Sequence, residues 1–200
     1  MNDRKFLNAA RNWDTIAKVC HGIFRAAGFV CLIFAVLVVI FGNRMFEAGS
    51  FTLDLDFLKL YLADEFQTPN ALIRSFAVTG LVAVGIICFI VSYGIRQFRD
   101  ILAPMKDGRP FDERTPRKLR NIAWTVLAAG LVSQITAVAE RLILTRAYPM
   151  EQIFSSPAIA RIEYSYSMDF GFVFVACMIL LLSYVFSYGC KLQRESDETL

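Results

Sequence analysis

The sequence lacks the residue patterns from which catalytic and metal sites are built. Its 200 residues include one histidine, His21, and five cysteines that form neither a CxxC pair nor a His/Cys ligand spacing. Because a metal site needs three or four ligands, His21 with Cys20 beside it does not predict one. There is also no GxSxG, P-loop, HExxH or paired-carboxylate arrangement. The sequence therefore predicts a protein that is not an enzyme and holds no cofactor or metal ion.

Charged residues are missing from four long apolar blocks. Arg25 is the one charge in Ile23–Phe41, and there is none in Phe76–Ile95, Ile122–Ala139 or Phe170–Ser187. A helix needs roughly 20 apolar residues to cross a hydrocarbon core about 30 Å thick. We therefore predict an all-α membrane protein in which four transmembrane helices form a bundle. The spans are expected at about 22–42, 75–95, 121–143 and 169–189 of a single domain that comprises residues 1–200.

Basic residues are distributed unevenly between the two sides of the predicted bundle. Fifteen of the 21 lysines and arginines lie in the N-terminal segment, the middle connection and the C-terminal tail, and six lie in the other two connections. Segments rich in Lys and Arg stay in the cytoplasm, so we expect both termini and the middle connection there. The acidic residues divide evenly between the sides, and this topology explains the net charge of +3 without direct nucleic-acid binding.

The two longer connections, expected outside the membrane, contain patterns typical of strands. Apolar and polar residues alternate in Phe51–Phe57 and again in Ala160–Met168. Alternation of period two indicates half-buried strands, and a lone strand is unstable. We predict that the two segments pair into a small extracytoplasmic β-ribbon formed from the two outer loops. Between them, Leu58–Phe66 is expected to form a short amphipathic helix.

Small residues mark one face of each predicted span, and such stripes allow helices to approach closely in a bilayer. The stripes are Ala27, Cys31 and Ala35, then Gly85, Cys88 and Ser92, then Ala129, Ser133 and Thr136, and finally Ala176, Ser183 and Ser187. A weak repeat also links the second and fourth spans, which end in Ser92–Asp100 and Ser187–Glu195. It supports either a duplicated helix hairpin or the ordinary Tyr and cation pattern of cytoplasmic helix ends.

A charged segment, Gly108–Trp124, separates the second span from the third. Gly108 and Pro110 indicate a turn, after which Asp112 or Thr115 can cap the third helix. The cations that follow can form a collar on anionic headgroups, worth about 1 kcal/mol each near the surface. They can instead belong to a docking surface for a soluble protein.

Two cytoplasmic motifs resemble those of a known family. The first, in Gly108–Ile122, is Gly-x-Pro-Phe, an acidic helix start and Arg-Lys-Leu-Arg-x-Ile; the second is the closing Leu192–Leu200. They resemble the bacterial membrane proteins catalogued as domain of unknown function 2975. The resemblance implies a four-span protein of the bacterial plasma (inner) membrane with no settled activity. Through gene association, it also implies a small helix-turn-helix DNA-binding regulator as a partner.

We therefore predict a membrane-anchored sensor or modulator that docks such a regulator on its cytoplasmic face. The lipid bilayer is its other partner, and a homo-oligomer is compatible with the sequence. The alternative is a structural or small-solute or lipid-handling four-helix protein without a soluble partner. The candidate docking residues, in the charged segment and the tail, are Gly108, Pro110, Phe111, Asp112, Arg117, Arg120, Glu195, Asp197 and Glu198.

Overall fold

Four long helices dominate the computed structural model, which describes residues 3–45, 52–54, 59–61, 70–106, 112–147 and 168–198. The helices are α1 (Asp3–Met45), α2 (Asn70–Lys106), α3 (Thr115–Ala147) and α4 (Gly171–Glu198). Each contains a stretch long and apolar enough to cross a bilayer. These stretches are Arg11–Gly42, Ala71–Pro104, Thr115–Arg146 and Gly171–Glu195. The prediction of four membrane-spanning helices is confirmed, and the chain is a multi-pass membrane protein.

The starts of α3 and α4 are fixed by aspartate side chains. The Asp112 carboxylate accepts the backbone N–H of Arg114 at 3.3 Å, and the Asp112 carbonyl accepts that of Thr115 at 2.9 Å. At α4, the Asp169 carboxylate accepts the N–H of Gly171 at 2.7 Å. Such bonds satisfy amides that lack a partner in the first turn of a helix.

The predicted β-ribbon between the two outer loops is not supported. Strand β1 (Thr52–Asp54) pairs antiparallel with β2 (Lys59–Tyr61), inside the first of these loops. This pairing also replaces part of the helix predicted at Leu58–Phe66. Pairing across four intervening residues closes a much shorter loop than pairing with a segment about a hundred residues away, and a shorter loop loses less entropy. Residues 160–167 of the predicted partner segment lie outside the described residues.

The chain forms two compact units. Unit 1 comprises Met1–Gly28, Ile86–Gln134 and Met168–Leu200, and unit 2 comprises Phe29–Gly85 and Ile135–Ser167. The prediction of a single domain stays a prediction.

In unit 2, the lack of a side chain at Gly80 lets a charged side chain approach the helix backbone. A Cβ at Gly80 would lie 3.3 Å from the Glu140 Oε1.

Small residues make up most of the described core, and Ala35, Cys88, Ser92, Ala176 and Ser183 of the predicted stripes are among them. The stripe predicted for the third span is not buried, since Ser133 is exposed and Ala123 takes the buried position instead. In unit 1 the most buried side chains include Ala123 and Ala176, both 0% exposed, and Ser92 at 4%. Large apolar side chains stay exposed on every helix, and examples are Ile40, Val84, Ile135 and Phe174. Helices in a bilayer pack through small residues and present large apolar ones to lipid, so this distribution fits four membrane-spanning helices.

Candidate docking surface

The start of α3 and the middle of α4 enclose a groove of about 380 Å³ in unit 1. One wall comes from the first turns of α3 and the other from one face of α4. The lining residues are Glu113, Pro116, Arg117, Arg120, Leu180, Ser183, Tyr184, Ser187 and Cys190. The predicted site residues Arg117 and Arg120 therefore lie together in one concave surface.

Two hydrogen bonds hold the walls of this groove. The Ser183 hydroxyl donates to the Pro116 carbonyl at 2.7 Å, and Ser183 is only 9% exposed. About two turns further along α4, the Cys190 thiol donates to the Asp112 carbonyl at 3.6 Å. Both acceptors lie at the start of α3, where the chain enters the helix. The bonds therefore fix which face of α4 meets the charged segment.

The cations of α3 point in two directions because the helix has 3.6 residues per turn. Arg117 and Arg120, three residues apart, share the face that lines the groove, and both are exposed. Lys118 instead reaches α2, where its Nζ lies 2.8 Å from the Asp100 Oδ2. The first turns of α3 thus contribute one cation to packing between helices and two to the groove.

The acidic tail is the end of α4 itself. Glu198 accepts a hydrogen bond from the Arg194 Nε at 2.9 Å, and Glu195 lies 3.8 Å from the Lys191 Nζ. These are pairs along one helix face, four residues apart. Glu195 lies five residues beyond Cys190, or roughly 7 Å further along the helix. The tail acids therefore extend the groove wall rather than line the groove.

The structure brings together only part of the predicted site. Asp112, Arg117 and Arg120 meet α4, while Glu195 and Glu198 lie beyond the groove. Gly108, Pro110 and Phe111 lie outside the described residues, and so does the side chain of Asp197.

Sequence reasoning placed Ser183 and Ser187 in a packing stripe and did not assign the α4 wall to the site. Ser183, Ser187 and Cys190 follow the spacing i, i+4 and i+7, which places them on one helix face. This stripe of small polar residues at the end of an apolar block was the available signal. Tyr184, which is 77% exposed on the same wall, carries no such signal.

A second set of polar contacts joins α1 to α2. The Nδ1 of His21 lies 3.0 Å from the carbonyl oxygen of Ser92, which accepts a hydrogen bond from the tautomer protonated at Nδ1. The Ser92 hydroxyl lies 2.9 Å from the same nitrogen and 3.4 Å from the His21 carbonyl. Further along, the Arg99 Nε donates to the Asp14 carboxylate at 3.2 Å. His21 is thus a packing residue between two helices.

The described residues contain no cluster of three or more His, Cys, Asp or Glu side chains able to hold a metal ion. All five cysteines are free thiols.

Comparison with known proteins gives one family and no characterised relative. The sequence model of the family described as “Protein of unknown function (DUF2975)” matches residues 61–200. No curated protein and no solved structure shows significant similarity to the chain.

Proposed function

The chain belongs to the DUF2975 family, whose function is unknown, and we propose that it is a non-enzymatic membrane protein that docks a soluble cytoplasmic protein. The docking surface is the groove between the start of α3 and the middle of α4. The first candidate partner is the small helix-turn-helix regulator that the family resemblance implies. In this role the protein, located in the bacterial plasma membrane, either holds its partner inactive or passes a signal to it.

The orientation of this surface is part of the proposal. Fifteen of the 21 cations lie in the segments proposed to be cytoplasmic, among them the residues before α3 and the end of α4. In a cysteine-free background, E198C should react with an impermeant maleimide only after permeabilisation, and M168C should react in intact cells. The reverse pattern would place the groove outside and end the proposal.

The observation that carries the proposal is the exposed Arg and Tyr set of the groove. Arg117 and Arg120 project from α3 beside Tyr184 of α4. Arg and Tyr are enriched among the residues that dominate protein interfaces, because they combine hydrogen bonding with a large contact area. Anionic headgroups would require the cations alone. A tyrosine that is 77% exposed beside two exposed arginines favours a protein partner.

The test compares groove variants with matched neighbours. Arg117→Ala and Tyr184→Ala each remove a groove side chain, and their controls are Arg114→Ala and Tyr188→Ala, which lie outside the groove. Each tagged variant is expressed at native level, cross-linked in intact cells and purified from membranes. Binding of the purified candidate regulator to each variant in nanodiscs is measured in parallel.

We expect the groove variants to weaken the complex at least tenfold, and the controls to retain it. A tenfold change corresponds to about 1.4 kcal/mol, which is typical for an interface residue of some importance. Equal binding by all four variants, with the same cross-linked proteins, would show that the groove docks nothing.

A further inference from the structure

An apolar cavity of about 630 Å³ lies elsewhere in unit 1, between α1, α2 and α3. It shares no residue with the docking groove. Its lining is almost wholly apolar. From α1 it comprises Trp13, Ile16, Ala17, Cys20 and Phe24; from α2, Val91, Gly94, Ile95 and Phe98; and from the rest of the chain, Ile122, Thr125, Val126, Ala129, Gly130 and Phe172.

The cavity is a long slot that follows the helix axes. Its α1 wall extends over the twelve residues from Trp13 to Phe24, whose eleven steps of 1.5 Å cover roughly 16 Å. The bonds of His21 to Ser92 and of Asp14 to Arg99 show that α1 and α2 run antiparallel along it. A flexible chain fits this shape better than a compact ring system.

The two ends of the slot differ. At one end the ring of Phe172 lies against Gly130, where no Cβ could fit. At the other end lie Trp13 and Phe98, each next in sequence to a member of the Asp14–Arg99 ion pair. The slot therefore has an apolar end closed by an aromatic ring and an end marked by charge.

The lining restricts the chemistry of a ligand. The Thr125 hydroxyl donates to the Asn121 carbonyl at 2.8 Å, so its proton is already used. A sugar or amino acid would leave its polar groups without partners in such a slot, at a large cost. For scale, an apolar cavity of about 150 Å³ already binds benzene, and ligand pockets have volumes of about 300–1,000 Å³.

We propose that this slot binds one acyl chain of a membrane amphiphile, with the headgroup at the Asp14–Arg99 end. The elongated shape of the slot favours a linear chain, and its apolar lining favours hydrocarbon. The Asp14–Arg99 ion pair indicates the end at which the headgroup would lie. The bilayer around the four helices supplies such chains as phospholipids or free fatty acids. This proposal does not depend on the docking groove, so a negative result for one proposal would leave the other unaffected.

The test uses the two tryptophans of the chain. Trp13 lines the slot, whereas Trp124 lines a different groove and is 61% exposed. Trp124→Phe leaves Trp13 as the single emitter. The purified full chain in detergent is titrated with dibromostearate, and in a second arm with phosphatidylcholine that carries the same brominated chain. Bromine quenches tryptophan at short range.

We expect quenching of Trp13 that saturates at about one chain per protein, as a single lined cavity requires. The arm that saturates at lower concentration identifies the source of the chain. Ala129→Phe, which fills the slot, should reduce the saturable quenching at least fivefold. Ala128→Phe is the control, because Ala128 lines the groove of Trp124 instead. Quenching that rises linearly with micellar bromine, or is equal in both alanine variants, would overturn the proposal.

A second measurement does not depend on the folding of the Ala129 variant. Cys20 lines the slot, so in a chain with Cys20 as its single cysteine, palmitate should slow alkylation of this thiol at least threefold. Octyl glucoside at equal concentration is the control for a general amphiphile effect. An unchanged alkylation rate at saturating palmitate would contradict occupancy of the slot.

Discussion

The proposed docking groove and the proposed acyl-chain slot lie in the same unit, and α3 contributes to both, yet the groove is lined by cations and the slot by apolar side chains. Arg117 and Arg120 line the groove, while Ile122 and Val126 line the slot. The change occurs near residue 121, where the charge-free block begins. The residues before the block that line the groove are exposed cations, whereas the block itself is apolar, as a hydrocarbon core requires. One helix thus supplies two kinds of site because it crosses the membrane interface.

The two regions also differ in how their helices are joined. The groove is held by side chains of α4 that donate to backbone carbonyls at the start of α3. Around the slot, α1 and α2 are joined by a histidine and an ion pair, and glycines allow close approach. The repeat positions Ser92 and Ser187 show the contrast, since Ser92 is buried against His21 while Ser187 is exposed in the groove. A sequence repeat therefore did not produce equivalent packing.

The largest expected effect concerns the closed end of the slot. Gly130→Ala would place a Cβ in the ring of Phe172 and 2.8 Å from the Cβ of Phe172, so the start of α4 must shift. We expect a loss of about 1–3 kcal/mol in the free energy of unfolding, the usual cost of overpacking. Thermal unfolding of the detergent-solubilised protein measures the change.

Gly22→Ala provides the control, since a Cβ at Gly22 would meet nothing within 4 Å. Replacing this exposed helical glycine should stabilise the protein by about 0.5–1 kcal/mol. In the double variant Gly130→Ala/Phe172→Ala the destabilisation should be less than the sum of the single effects, because the overlapping ring is gone. Strict additivity would mean that Phe172 does not lie against Gly130.

A smaller effect is expected from the bond between His21 and Ser92. His21→Ala leaves the buried Ser92 without this partner, and hydrogen bonds between membrane helices contribute about 0.6 kcal/mol on average and at most about 1.7. We expect a loss of about 1 kcal/mol in stability. A double-mutant cycle with Ser92→Ala isolates the interaction, and a coupling energy near zero would contradict the contact.

Much of the fold was predictable because the membrane imposes a local rule. A charge-free block of sufficient length specifies a helix without knowledge of its neighbours. The ribbon prediction is not supported, because alternation in Phe51–Phe57 indicates a strand but does not identify its partner, and β1 pairs with β2 instead. The contact between His21 and Ser92 was not predicted, because it depends on the register between two helices, which a single sequence does not contain.

The candidate site was predictable only where charge revealed it. Arg117 and Arg120 were found because cations beside an apolar block are conspicuous. Ser183 was assigned to the packing stripe of the fourth span, since small side chains serve equally in packing and in hydrogen bonds to a carbonyl. Its hydrogen bond depends on where the start of α3 lies, and only the structure shows that position.

The smallest effect is expected at the end of α4, beside the docking groove. The pair of Arg194 and Glu198 has side chains 72% and 65% exposed, whereas those of Arg99 and Asp14, near the slot, are 30% and 22% exposed. Exposed pairs along a helix contribute about 0.3–0.5 kcal/mol and are screened by salt. Glu198→Gln should therefore reduce stability by no more than about 0.5 kcal/mol and lose this effect at high salt, whereas Asp14→Asn should cost more and retain its effect. Thermal unfolding at low and high salt compares the two. A larger, salt-resistant loss for Glu198→Gln would show that the tail packs against the protein, so that its acids would be part of the core rather than a free extension of the groove wall.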